Sequence, residues 1–158
     1  MKIKNLSTLS LGSNLMHNKM TPKNIIKKAI FLLNKNTNIK VKKISPLIKT
    51  KPVGIIARKD EKIHDFINAT VLIETTLKPI KLLSETQKIE NLFNRLRSKN
   101  SKIKWSRTLD IDIIFFNSIK IKTKNLIIPH PRYHKRDFVL KPMGEMKNFD
   151  DVKWFCKK

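Results

Sequence analysis

Apolar residues in this chain switch repeatedly between a spacing of about two, the mark of a strand, and about 3.6, the mark of a helix. Leu6 to Leu11 forms the first strand segment and runs into Gly12-Ser13-Asn14, which reads as a turn. Thr21-Pro22 offers an N-cap followed by proline at the first helical position. Ile25, Ile26, Ala29, Ile30 and Leu33 then recur at helical spacing, predicting a helix over 22–35. Ile39 to Thr50 is rich in β-formers, with Pro46 marking a bulge or an edge position, and Lys51-Pro52-Val53-Gly54 closes it as a loop. From Phe66 to Thr76, Ala69, Val71 and Ile73 alternate with Asn68, Thr70 and Leu72. Pro79 opens a second helix whose apolar stripe is Leu82, Leu83, Ile89, Leu92, Phe93 and Leu96, ended by the polar run 98–102. Thr108 to Phe116 is the last long strand, followed by a short ribbon around Ile119 to Ile121 and a proline-punctuated tail.

The resulting order, β-α-β-β-α-β, is that of an α+β ferredoxin-like sandwich, an antiparallel sheet with helices packed on it. With 158 residues, neither internal repeats nor an interdomain linker, the expectation is one domain over 1–158. A hydrophobic share of 40% spread along the chain is that of a folded protein and excludes a disordered one. No apolar run approaches the ~18 residues that cross a bilayer, and Met1 to Leu15 lacks a signal-peptide core, so a cytoplasmic protein without membrane contact is expected. Cys156 is the only cysteine, which excludes an internal disulfide and a cysteine metal site. There are only three glycines, and each one kept is informative about local geometry.

A net charge of +23 raises the possibility of a nucleic-acid partner. The excess, however, is almost wholly lysine: 29 Lys against 6 Arg, and Lys, Ile and Asn together fill about two fifths of the chain. These are the residues of AT-rich codons, so drift in base composition accounts for the charge better than selection for a polyanion. Under such drift each surviving arginine gains meaning, because only arginine offers a planar fork to phosphate, and five of the six lie in 95–136. A basic module that grips phosphates with lysine and stacks bases on exposed Phe remains the alternative, but it leaves the paired acids below unexplained.

Those acids lie in Arg107-Thr108-Leu109-Asp110-Ile111-Asp112. On a strand, Leu109, Ile111, Ile113 and Phe115 would enter the core while Asp110 and Asp112 stand side by side on the opposite surface. Adjacent carboxylates repel unless a cation sits between them, and hard oxygen ligands one strand-step apart suit Mg²⁺ bridging nucleotide phosphates. The bland alternative is a solvated acidic strand face paired with surface lysine. Gln87 and Glu90, three apart on the second helix, are neighbours, with Arg95 and Arg97 following. Pro129-His130-Pro131-Arg132, then Arg136 and Phe138, presents a histidine in a rigid loop, either as a structural residue or as a phosphate contact.

The set Leu11-Gly12-Ser13-Asn14, Lys51-Pro52-Val53-Gly54, Asp65-Phe66-Ile67-Asn68-Ala69, Gln87-Lys88-Ile89-Glu90, Arg107 to Asp112, Pro129 to Arg132 and Arg136 to Leu140 resembles the 6-hydroxymethyl-7,8-dihydropterin pyrophosphokinase family, in order from about residue 8 to residue 145. The resemblance implies transfer of the β,γ-diphosphate of ATP to the hydroxymethyl group of the pterin, leaving AMP, in folate biosynthesis. It implies two Mg²⁺ ions at Asp110 and Asp112, a phosphate-binding set of Arg95, Arg107, His130 and Arg136, and a nucleotide site lined by Gln87 and Glu90. For the pterin it implies stacking between Phe66 and Phe138, an edge-reading amide at Asn68, and a wall of Thr50, Pro52 and Val53. The partners implied are these small molecules, with a monomer expected and no nucleic acid. The chain departs from the family at Trp105-Ser106, where a Gly-Pro step usually precedes the arginine, and at Asn94, where glycine is common.

Overall fold

The structure is a computed structural model and describes residues 3–52, 64–93 and 108–148. Its sheet is built around β1 (Asn5–Ser13), which lies between β5 (Asp110–Phe116) and β4 (Phe66–Thr75). Beyond β4 come β2 (Ile39–Ile44) and β3 (Ile48–Thr50), and β8 (Lys147–Asn148) extends the sheet from β2. Every pairing is antiparallel. With α1 (Pro22–Lys35) and α2 (Pro79–Leu92), the element order is that of the expected ferredoxin-like sandwich.

Local chemistry sets the helix starts. Thr21 Oγ1 accepts from the Asn24 N–H at 3.3 Å, and Pro22 fills the first helical position; such a cap contributes about 1 kcal/mol. In α2, Leu82, Ile89 and Phe93 are buried and Leu83 partly so. Leu92, expected in the stripe, is instead 64% exposed, since it sits about 100° around the helix from Phe93. Leu96 lies outside the described residues.

The sheet presents two unlike faces. Leu9, Leu11, Ala69, Val71, Ile73, Ile111 and Ile113 turn toward α1 and α2 and form the core with Ile25, Ile26, Ile30, Leu33 and Leu82. Ser10, Gly12, Asn68, Thr70, Asp110 and Asp112 occupy the alternate positions and therefore the opposite face. Part of that face is covered by a 3₁₀ turn (Tyr133–Lys135) and α3 (Asp137–Gly144), whose Val139 is fully buried and which packs on β3 and β4.

Three expectations change here. Gly12 and Ser13 are the last residues of β1 rather than a turn, paired with Asn68 and Ile67. The segment 39–50 is two strands rather than one: it breaks at 45–47 into β2 and β3, where three residues oppose only Ala69 and Thr70 of β4, so Pro46 does fall at a bulge-like irregularity, and Ser45 holds the break. Its N–H donates to the Thr70 carbonyl and its Oγ accepts from the Thr70 N–H, both at 2.9 Å. Phe115 does not enter the core. Between Thr8 and Leu9 the β1–β5 register slips so that Ile114 is an extra residue on β5, and a bulge of this kind inverts the alternation after it. Phe116 is therefore buried, while Phe115 is half-buried and meets the Tyr133 ring edge-on at 4.9 Å. The ribbon forms between β6 (Ile121–Lys122) and β7 (Ile127–Ile128), closed by a turn in which Thr123 and Leu126 exchange hydrogen bonds.

Candidate active site

Among the described residues β5 is the end strand of the sheet, so its outer backbone groups need partners from outside the ladder. Two of the expected site segments supply them. The Ile111 N–H donates to Glu90 Oε1 at 2.8 Å, and the His130 N–H donates to the Ile114 carbonyl at 2.9 Å. Glu90 is 2% exposed, so its carboxylate is a structural tie from α2 to the residue between Asp110 and Asp112. The Pro129-His130-Pro131 segment is fastened to the bulge in the same way, after a cis Ile128–Pro129 peptide.

The side chains of Asp110 and Asp112 project from the polar face, one strand-step apart. Asp112 Oδ2 lies 2.6 Å from Arg136 Nη1 and 3.8 Å from His130 Nε2. His130 Nδ1 accepts from the Arg132 N–H at 3.2 Å, which leaves the proton of a neutral ring on Nε2, toward Asp112. Burial pushes the His130 pKa below its ordinary 6.5; Asp112 opposes this, and Arg136 and Arg132 add to it. Histidine here is a neutral donor at neutral pH.

On one side of the carboxylates a cleft of about 300 Å³ opens between α2 and the β6–β7 turn. Gln87 and Glu90 line it with Leu83, as do Asp112, Ile113, His130, Lys124 and Asn125 from the turn, and Ile127 at the start of β7. On the other side, two strand spacings from Asp110 or roughly 10 Å, Asn68 stands across Gly12 in the ladder. Asn68 Nδ2 donates to Thr50 Oγ1 at 2.8 Å. Phe66, Pro52 and Phe138 are half-buried, and neither Phe joins the core cluster. Phe138 lies at the start of α3, with the Arg136 guanidinium 5.5 Å over its ring.

The structure thus brings together Gln87, Glu90, Asp112 and His130 around the cleft, with Arg136 on Asp112, and places Thr50, Phe66 and Asn68 on neighbouring strands. Val53, Arg95 and Arg107 lie outside the described residues, as do Arg97, Asn94 and Trp105. Sequence reasoning missed the turn residues Lys124 and Asn125 and the strand residue Ile127, although Thr123-Lys124-Asn125 between two Ile-rich pairs carries a turn signal. Among the described residues no group of three or more His, Cys, Asp or Glu could hold a metal ion. Any cation here would take two carboxylates from the protein and its other ligands from substrate or water, the coordination that Mg²⁺ favours.

The model of the family described as 7,8-dihydro-6-hydroxymethylpterin-pyrophosphokinase (HPPK) matches residues 8–148. The chain belongs to this family. Its members are ATP-using diphosphotransferases, so ATP is the co-substrate and the reaction is the pterin pyrophosphokinase step of folate biosynthesis. The chain is 38% identical over 143 residues to the 2-amino-4-hydroxy-6-hydroxymethyldihydropteridine pyrophosphokinase of Bacillus subtilis, covering 90% of this chain and 78% of that protein. It is 37% identical over 139 residues to the enzyme of the same name from Haemophilus influenzae, covering 87% of this chain and 79% of that one. In fold it is similar to the wild-type HPPK-DHPS of Plasmodium falciparum crystallised with pteroate, at a TM-score of 0.66 and 19% identity over 91% of this chain and 39% of that one. HPPK domains have the ferredoxin-like fold seen here. No helix among the described residues is long and apolar enough to cross a membrane.

Proposed function

We propose that this site performs the HPPK reaction with ATP in the cleft, the pterin over Asn68, and Asp110 and Asp112 between them. The observation that carries this reading is the position of the two carboxylates: Asp112 lines the cleft, while Asp110 is separated from Asn68 by Gly12 alone. A reaction that joins two substrates needs its charge-handling groups where the substrates meet.

The donor set fits Mg²⁺: two hard carboxylates on one strand, one already drawing a cationic group to 2.6 Å. When bound there, Mg²⁺ would neutralise the phosphate oxygens of ATP and favour attack at the β-phosphorus. Asp110 and Asp112 would hold the two ions. His130 would offer its Nε2–H, and Arg136 its guanidinium, to the phosphates. Arg95 and Arg107 complete the phosphate set. Gln87 and Glu90 shape the nucleotide cleft, Glu90 chiefly by fixing β5.

On the pterin side, Phe66 and Phe138 supply stacking faces, Asn68 reads the polar edge, and Thr50, Pro52 and Val53 form the wall. In the reaction the hydroxymethyl oxygen bonds to the β-phosphorus while the bond between that phosphorus and the α,β-bridging oxygen breaks. AMP leaves with that oxygen, and the hydroxyl proton is released to solvent. The test is AMP release from ATP with and without 6-hydroxymethyl-7,8-dihydropterin, at several Mg²⁺ concentrations. Release that requires both pterin and Mg²⁺ is the expected result; release indifferent to the pterin overturns the reading.

A further inference from the structure

Gly12 contributes to this site by having no side chain. It lies in a strand at the centre of the sheet, where glycine weakens the ladder because it loses more freedom on folding and packs nothing. Its backbone is not in the left-handed region, so conformation does not call for glycine. Space does. A Cβ at residue 12 would lie 3.0 Å from Asn68 Oδ1 and 3.9 Å from Phe66 Cδ1. The first separation is tighter than ordinary van der Waals contact. Asn68 has little room to give way, being 4% exposed with its Nδ2 bonded to Thr50 Oγ1. The register completes the picture, since Gly12 pairs with Asn68 on one side and Asp110 on the other.

We propose that Gly12 is the positioning residue of the pterin pocket. Its missing Cβ lets the Asn68 carbonyl lie over the strand that separates it from Asp110, where it accepts from the N–H-bearing edge of a flat heterocycle. This rests on the pterin reading above and adds to it the residue that sets the acceptor's position. With a Cβ at position 12, Oδ1 must move, and it moves either away from the ligand edge or at the expense of the Thr50 bond. Selection for a donor-bearing edge is then lost while the nucleotide cleft, on the far side of Asp112, is untouched.

The test is Gly12→Ala, alone and in an Asn68→Ala background. Calorimetric titration with 6-hydroxymethylpterin is run in the presence of α,β-methylene-ATP and Mg²⁺, beside titration of the nucleotide alone and a thermal melt. Gly12→Ala is expected to weaken pterin binding at least tenfold and to leave nucleotide affinity within twofold. In the Asn68→Ala background the same change should alter pterin binding less than threefold, because no carbonyl remains to be displaced, and should raise the melting temperature. Wild-type pterin affinity in Gly12→Ala overturns the proposal, as does an equally large loss in the Asn68→Ala background. A parallel fall of both affinities and of the melting temperature in both backgrounds assigns the glycine to the fold and overturns it too. Wild-type protein that binds nucleotide but no pterin overturns the pterin reading itself, an outcome separate from an unaffected Gly12→Ala.

Discussion

On the face of the sheet beneath α1 and α2, β1 contributes Leu9 and Leu11, both without solvent exposure; on the opposite face the same strand contributes Ser10 and Gly12. The contrast continues along β4, where Ala69, Val71 and Ile73 oppose Asn68 and Thr70, and along β5, where Ile111 and Ile113 oppose Asp110 and Asp112. The apolar face converts burial directly into stability. The polar face is almost as well covered, with Ser10, Asn68 and Thr70 at most 5% exposed, yet it gains little from being so. Thr70 Oγ1 is buried there without a hydrogen-bond partner among the described residues, a cost of about 1–3 kcal/mol for such a group. One face thus carries the fold and lets the other carry groups that stability alone would not select.

The sharpest way to break this division is to change neighbours on β5 and β1 that point in opposite directions. Asp112→Ala, or Asp110→Ala, is expected to reduce turnover at least about a thousandfold, several kcal/mol of barrier. Its melting temperature should stay within about 4 °C of wild type, because the Arg136 side chain, already 19% exposed in its pair with Asp112, can turn to solvent once released. Leu11→Ala should do the reverse, losing about 2–5 kcal/mol of stability through a core cavity while the folded fraction keeps its turnover. Melts and AMP assays on the pair decide it. An Asp112→Ala protein that melts like Leu11→Ala would show that the polar face holds up the fold after all.

Glu90 belongs to both faces, since it lies buried on α2 yet bonds the backbone between the two aspartates. Glu90→Ala leaves the Ile111 N–H without its acceptor and should cost about 1–3 kcal/mol of stability. It should also lower turnover, because the edge of β5 is no longer held. Glu90→Gln keeps an acceptor oxygen and should recover most of both. Should Gln behave as badly as Ala, the charge of Glu90 and not its bond to Ile111 would be what matters.

A smaller effect is expected at Phe66 and Phe138, which are half-buried and outside the core cluster. Truncation of either to Ala should weaken pterin binding on the order of tenfold, one stacking face with its apolar contact. Nucleotide affinity and the melt should hardly change. Loss of about 3–5 kcal/mol of stability instead, with both ligands weakened together, would move these rings to the core side of the comparison.

The apolar face was legible in the sequence because burial there imposes a period. Ile25 to Leu33 at helical spacing and the alternations of β4 and the first half of β5 fall where the pattern puts them. Legibility fails where one residue shifts the count: the extra Ile114 exchanges Phe115 for Phe116, and no local pattern in Ile-Ile-Phe-Phe announces it. The same period puts Asp110 and Asp112 on one surface, but which residues of the polar face matter is told by chemistry or by resemblance and not by spacing. Hence the paired acids were visible, while the β6–β7 turn, whose Lys124 and Asn125 look like any surface pair, was not. Gly12 misled for a related reason, since a glycine beside Ser and Asn reads as a turn until Asn68 is seen above it. Spacing made Glu90 a neighbour of Gln87 and resemblance put it in the nucleotide site, but helical spacing does not say which side is buried, so its bond to the Ile111 N–H was not legible.

The smallest expected effect tests how deeply the polar face is buried around His130. Its pKa is lowered chiefly by burial, against the attraction of Asp112, so the folded protein holds this ring neutral to a lower pH than the unfolded chain does. Below its ordinary value of 6.5 the unfolded chain therefore binds more protons, and stability must fall as pH drops from there toward the folded value. Above about 7 both states are neutral and the contribution is constant. His130→Asn keeps an acceptor for the Arg132 N–H and removes the titration. The difference in melting temperature between wild type and this variant, measured without Mg²⁺ or nucleotide so that Asp112 keeps Arg136, should be flat above pH 7 and shift against wild type below 6.5. The opposite slope, wild type gaining on acidification, would mean that Asp112 at 3.8 Å outweighs burial, and that this side of the sheet is wetter than its covered strands suggest.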